Sequence, residues 1–244
     1  MKIDQVIFAP GKSSFFFDDQ RAVKSGAVQD GFMFRGEPVT EGFTRIRQAG
    51  ECVSVLLVLD NGAVAMGDCT AVQYSGAGGR DPLFLAEPWV PVLENLIRPR
   101  LEGRALEGFR PMADEIDAME VDGRPLHKAV RYGISQALLN AQALSDGRIA
   151  TEVIAREWDL PLISEPVPLF GQSGEDRYRA VDRMIIKEVD ALPHGLINSP
   201  CTFGREGEQF AEYVRWTADR VLSQRGRDDY RPALHFDLYG MPGR

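Results

Sequence analysis

Apolar and polar residues alternate from Met1 to Pro10, and residues 3–8, IDQVIF, have strand composition. The pattern then turns at Pro10-Gly11 into a glycine-punctuated stretch reaching Gly42, which holds Phe15, Phe16 and Phe17. The first firm element is Cys52 to Leu59, rich in Val and Leu, which stops at Asp60-Asn61-Gly62 and resumes as AVAMGD. Asn-Gly supplies the positive φ angles of a tight turn, so this spacing predicts a hairpin. Residues 1–70 read as a small antiparallel sheet.

From Pro82 the period changes. Leu126, Val130, Ile134, Ala137, Leu138, Ala141 and Leu144 recur at three and four, which predicts a helix over 126–144 with one apolar face. Its packing partner is expected in Pro88–Ile97 or Met112–Met119. Sheet then helices make an α+β domain spanning residues 1–160.

Pro161, Pro166 and Pro168 crowd one stretch, as at a domain boundary, and lead into a strand at Val167–Phe170. A helix is expected from near Ser173, with Ser173 and Asp176 as a capping box and Tyr178, Val181, Ile185 and Val189 on one side. A strand within Leu192–Ile197 follows, then a helix with Phe210, Tyr213, Val214, Thr217 and Val221 in register, then a strand at Ala233–Leu238. Strand, helix, strand, helix, strand is the order of a parallel α/β sheet. A closed eight-unit barrel takes roughly 250 residues, so residues 161–244 hold an incomplete one. Three parallel strands alone expose an apolar face and an open edge, and the expectation is a truncated polypeptide or half of a split enzyme.

Composition narrows the classes. The 28 Lys and Arg stand against 36 Asp and Glu, a net charge of −8 with no basic block, which argues against a nucleic-acid surface. The apolar run Cys52–Leu59 falls short of the ~20 residues of a membrane helix, and the N-terminus has no signal-peptide pattern. Cys52, Cys69 and Cys201 form no CxxC pair, so reduced thiols in the cytoplasm are expected, with Cys69 inert. Residues 73–80, QYSGAGGR, lack the GxxxxGK[ST] spacing of a phosphate loop and read as a surface loop. His127 and Arg131, four apart, suit solvation or packing. Taken singly, Asp237 at a strand end reads as a turn or helix cap. His194 after a proline reads as a structural hydrogen-bonding group or as an acid–base group. His235 shares the side of its strand with Asp237, which leaves open a role in supporting that residue's surroundings.

Several runs are similar to one family. These are residues 67–86 (GDCTAVQYSGAGGRDPLFLA), 17–21 (FDDQR), 126–133 (LHKAVRYG), 172–174 (QSG), 184–188 (MIIKE), 192–194 (LPH) and 235–240 (HFDLYG). Together they resemble the methylaspartate ammonia-lyases of the enolase superfamily, almost end to end over the N-terminal part of such proteins.

The resemblance implies an α+β capping domain, then α/β, the first three β/α units of an enolase-type TIM barrel. It also implies reversible elimination of ammonia from L-threo-3-methylaspartate to give mesaconate, with Mg²⁺ and a monovalent cation such as K⁺, in amino-acid catabolism. A proton beside a carboxylate is removed only if the developing dianion is stabilised, and enolase-superfamily sites pair a Lys or His base with Mg²⁺ for this. By the same resemblance Asp237 is the first of three metal carboxylates. His194 is the catalytic histidine and contacts the substrate carboxylate. Gln172 and Ser173 bind substrate, Gln73 reaches toward its amino group, and Phe170 lines the methyl pocket. The catalytic lysine and the other metal carboxylates have no counterpart in these residues. A homodimer, or a need for a C-terminal half in trans, is implied. The alternatives are a non-catalytic half-subunit and another enolase-superfamily enzyme, against which Gln73, Gln172 and His194 together argue.

Overall fold

The computed structural model describes residues 1–71, 81–174 and 176–243. It divides into two compact units, Met1–Leu162 and Ile163–Arg244.

The first unit opens with β1 (Ile3–Asp18), α1 (Gln20–Lys24), the short pair β2 (Val28–Asp30) and β3 (Met33–Arg35), and the long strands β4 (Arg47–Leu59) and β5 (Val64–Cys69). β1, β4 and β5 form an antiparallel sheet in that order, so β4 is central. Val53, Val55, Leu57 and Leu59 bury one face of β4, as a period of two requires. The predicted turn is present: Val58 pairs with Val64, and Gly62 at the tip has φ of +83°. The expected turn at Pro10-Gly11 is not. β1 runs through both residues, pairing Pro10 with Val53 and Gly11 with Cys52, because an edge strand has a side on which proline's missing N–H costs no ladder bond. Asp19 closes the entry to α1. Its buried carboxylate accepts from the N–H groups of Arg21, Ala22, Val39 and Thr40 and from the Thr40 hydroxyl.

Helices cover this sheet: α2 (Ala86–Val92), a π-helical turn at Leu93–Ile97, α3 (Arg98–Leu101), α4 (Phe109–Asp117), then the short strands β6 (Glu120–Val121) and β7 (Arg124–Pro125), and α5 (Lys128–Asp146) and α6 (Ala150–Glu157). The helix read over 126–144 is α5, starting two residues later because His127 is its N-cap, accepting from Ala129 N–H at 3.0 Å. Val130, Ile134, Ala137, Leu138 and Ala141 are buried as expected, but Leu144 is 44% exposed, since the stripe has rotated off the core by the last turn. α5 packs on β4, β5 and α4, whereas α2 packs on β1 and β4. Gly67 and Gly133 set how close α5 lies to the sheet: a Cβ at Gly133 would stand 2.4 Å from Cys69 N, and one at Gly67 2.1 Å from Gly133 O.

The second unit contains α7 (Arg179–Ile186), β8 (Ala191–Leu196), α8 (Pro200–Phe203), α9 (Glu208–Gln224) and β9 (Ala233–Asp237). β8 and β9 are parallel. Phe170 and Gly174 make parallel bridges to Ala191 and Gly195 on the other side of β8. Val181, Met184, Ile185 and Val189 pack with Leu192, Val221 and Tyr230 to form the core. The helix expected from Ser173 begins at Arg179 instead, and the Ser173–Asp176 capping box does not form. Ser173 N–H is engaged by the Pro193 carbonyl at 2.8 Å, so the chain is still extended there. Among the described residues β9 pairs only with β8, and Leu234 on it is 39% exposed. No helix among the described residues is long and apolar enough to cross a membrane.

Candidate active site

Three parallel segments of the second unit bring the predicted residues to their C-terminal ends. The segment before α7 is tied to β8 by Gly171 N–H on Ala191 O and Ser173 N–H on Pro193 O, both 2.8 Å. Between β8 and β9 the register runs Pro193 with His235, then Gly195 with Phe236, which leaves His194 as the extra residue of a bulge. His194 follows a cis Leu192–Pro193 bond and has φ of +41°, a conformation L residues seldom adopt and one that re-aims a side chain.

The result is a compact constellation. His194 Nδ1 lies 3.0 Å from His235 Nδ1, the two ring centroids are 5.0 Å apart with their planes inclined by 20°, and His194 Nε2 lies 3.8 Å from Asp237 Oδ2. Phe170 presents its ring edgewise to His194 at 5.1 Å and to His235 at 5.3 Å. The second Asp237 oxygen accepts from Tyr239 N–H at 3.3 Å. His194 is 18% and Asp237 35% exposed at the side chain, so both are half-sheltered and open to a ligand.

The remaining predicted residues stand apart from this cluster or outside it. Ser173 is buried beside Tyr213, whose hydroxyl donates to Arg177 O at 2.9 Å and whose pKa burial pushes up to about 12. The Ser173 hydroxyl works against that rise, yet it makes no hydrogen bond of good geometry among the described residues. Gln172 is exposed. Gln73, with the loop 73–80, lies outside the described residues. Gly195 lets Tyr213 pack beneath the bulge, since a Cβ there would stand 2.8 Å from its ring.

His235 is the site residue whose part the sequence left unassigned. Alternation along β9 puts it on the side of Asp237, but its contact with His194 depends on the bulge, since the register pairs it with Pro193. Asp237 offers one hard oxygen donor of the kind Mg²⁺ takes. No group of three or more His, Cys, Asp or Glu side chains converges on a metal position among the described residues, so these residues do not by themselves form a metal centre.

In the first unit, clefts of about 630 and 830 Å³ are lined by Lys12, Ser54, Asp68 and Tyr132 and by Trp89, Arg124, His127 and Arg131. Among the described residues, neither is lined by a predicted site residue. His127 is a packing residue, as expected, with Nε2 at 2.9 Å from Pro82 O. Cys69 is buried, and burial first, then the charge of Asp68, pushes its thiol up to about 12. An inert thiol follows.

The order of elements and the parallel segments define the class first: the fold is shared with muconate lactonizing enzyme from Pseudomonas putida, at TM-score 0.51 and 13% identity, over 98% of this chain and 52% of that one. The family is narrower. The family models for the methylaspartate ammonia-lyase N-terminus and C-terminus match residues 1–159 and 161–244, and the chain belongs to the methylaspartate ammonia-lyase family. It is 60% identical to methylaspartate ammonia-lyase of Citrobacter amalonaticus over 244 residues, all of this chain and 59% of that protein. The crystal structure of that relative containing (2S,3S)-3-methylaspartic acid superposes with TM-score 0.95. The Mg complex of β-methylaspartase from Clostridium tetanomorphum gives 0.94 at 55% identity, again covering all of this chain and 59% of that one. The chain thus spans 59% of the length of these relatives.

Proposed function

We propose that these residues carry the capping unit and the first barrel strands of a methylaspartate ammonia-lyase, which converts L-threo-3-methylaspartate reversibly to mesaconate and ammonia. The observation that supports this is the meeting of His194, His235 and Asp237 beside Phe170 in a chain 60% identical throughout to the Citrobacter relative.

In the reaction a base takes the C3 proton. The electron pair moves to form the C2–C3 double bond, and the C2–N bond breaks with nitrogen leaving as ammonia. Negative charge gathers on the carboxylate beside C3 before the nitrogen departs, and fixed donors lower its cost. His194 meets that carboxylate and supplies a hydrogen bond or a proton on the second face. Phe170 lines the side of the methyl group, Gln172 and Ser173 hold the substrate, and Gln73 reaches toward its amino group. Asp237 is one ligand of Mg²⁺, which when bound supplies positive charge for the same carboxylate; a monovalent cation such as K⁺ accompanies it. The lysine base and the other metal carboxylates come from sequence beyond these residues, and the assembly is a cytoplasmic homodimer.

The test is ultraviolet detection of mesaconate from 3-methylaspartate with Mg²⁺ and K⁺, using the chain alone and then with a C-terminal segment of the same family. Product in the mixture, and none from the chain alone, is the expected result. Product from the chain alone would refute the need for a lysine from elsewhere. Silence in both would favour a second reading, a half-subunit without catalysis.

A further inference from the structure

Two imidazole nitrogens 3.0 Å apart share one proton: the two Nδ1 atoms of His194 and His235 cannot both carry hydrogen, nor can two lone pairs face each other at that distance without repulsion. The other nitrogen of His194 decides which ring donates. His194 Nε2 is turned to Asp237 Oδ2 at 3.8 Å, and a carboxylate on that side favours an N–H there. With hydrogen on Nε2, Nδ1 of His194 is left as the acceptor, so His235 donates from its own Nδ1. The tautomer of a histidine is set in this way by the hydrogen bond its other nitrogen makes.

The backbone supplies the need for such a device. His194 sits on the bulge at φ of +41°, off the regular ladder, so strand pairing does not fix its ring. His235 lies on β9, directly paired with Pro193, and its ring lies beside that of His194 with the planes 20° apart, while Phe170 abuts both. We infer that His235 is a positioning residue for His194, donating Nδ1–H to His194 Nδ1 and holding His194 as the Nε2–H tautomer with that hydrogen on the Asp237 side. Its catalytic importance rests on the reading of His194 as the group that meets the substrate carboxylate. The hydrogen bond itself does not.

Only three histidines occur in the chain, so ring nitrogens of the ¹⁵N-labelled protein can be assigned by long-range proton–nitrogen correlation at alkaline pH. The expected spectrum has His194 as Nε2–H and His235 as Nδ1–H. A His194 ring protonated at Nδ1, or both rings averaging between tautomers, would overturn the inference. His235→Phe keeps an aromatic ring without a donor and should release His194 into tautomer averaging. His235→Asn places an amide near the lost Nδ1 and should preserve the Nε2–H form. An unchanged His194 in His235→Phe would overturn the inference as well. In the mesaconate assay His235→Phe should lower kcat about tenfold or more with KM little changed, and His235→Asn should restore most of it. An undiminished kcat would refute the positioning role. Absence of mesaconate from the unaltered protein in every mixture would instead refute the proposed reaction, while the ring-nitrogen spectrum still decides the hydrogen bond.

Discussion

The two units organise their residues by different rules. In the first, strand alternation and a helical stripe meet so closely that backbone touches backbone, through Gly67 and Gly133. In the second, the residues of chemical interest gather where the repeat fails, at the His194 bulge, and Leu234 and Phe170 remain 39% and 53% exposed. Regular pattern builds a packed body, whereas an interruption of the pattern aims a side chain. Substitutions should therefore separate into those that lower stability in the first unit and those that lower activity in the second.

The largest expected effect is on activity. His194→Ala should reduce mesaconate formation by about 10²- to 10⁴-fold, the usual worth of an acid–base group. The denaturant midpoint should scarcely move, because His194 belongs to neither core. Equal losses of activity and stability would erase the distinction between the units.

Gly133→Ala tests the other side. Alanine gains roughly 1 kcal/mol of helix propensity over glycine. Its Cβ would meet backbone atoms of Asp68 and Cys69, which cannot swing aside as a side chain would. Overpacking of this kind costs about 1–3 kcal/mol, occasionally more, so a net loss is expected, read as a lower urea midpoint and faster amide exchange in α5. Exchange in β8 and α9 should be unaltered.

How much of this was legible beforehand follows from the same contrast. The Asn61-Gly62 turn and the Val130–Ala141 stripe depend on local repeat and were read correctly. The length of β1 was not, since Pro10-Gly11 looks like a turn until the edge position of the strand is known. Nor was the start of α7: Ser173 and Asp176 have capping composition, but parallel pairing with β8 claims Ser173 first. Around the site, resemblance named His194, Phe170 and Asp237, and the structure brings these three together. It passed over His235, whose contact depends on a bulge that no periodicity announces. Gln73 lies outside the described residues, so its place in the constellation stays a proposal.

Paired ions of like geometry sharpen the comparison further. Arg47 grips Asp18 through Nε and Nη2 at 2.7 and 2.8 Å with side chains 17% and 15% exposed. Arg220 grips Asp182 in the same fashion at 2.6 and 2.8 Å, but with 37% and 39% exposed. Solvent screening leaves an exposed pair worth about 0–1 kcal/mol, while hydrogen bonds to a sheltered charge are worth about 1.5–3 kcal/mol. Arg47→Met should therefore cost more than Arg220→Met in urea unfolding, and half-molar salt should narrow the gap only slightly. Equal costs would mean that burial does not distinguish the two pairs.

The smallest effect is a pH dependence confined to the first unit. Burial holds His127 below the usual histidine range, outweighing its contact with Pro82 O and the nearby charge of Asp81, while Lys128 adds to the lowering. The Ala129 N–H on its Nδ1 also requires the neutral ring. Since the folded pKa lies below the unfolded one, the unfolded chain takes up a proton first as pH falls. Stability is then fully present above the unfolded value near 6.5 and declines as pH falls toward the folded one. His127→Asn keeps a side-chain acceptor at the N-cap but cannot titrate. Its urea midpoint should be lower than that of the unaltered chain at pH 8, yet fall less between pH 7 and pH 5. Parallel midpoint curves for the two proteins would show that His127 does not contribute to the acid sensitivity of the unit.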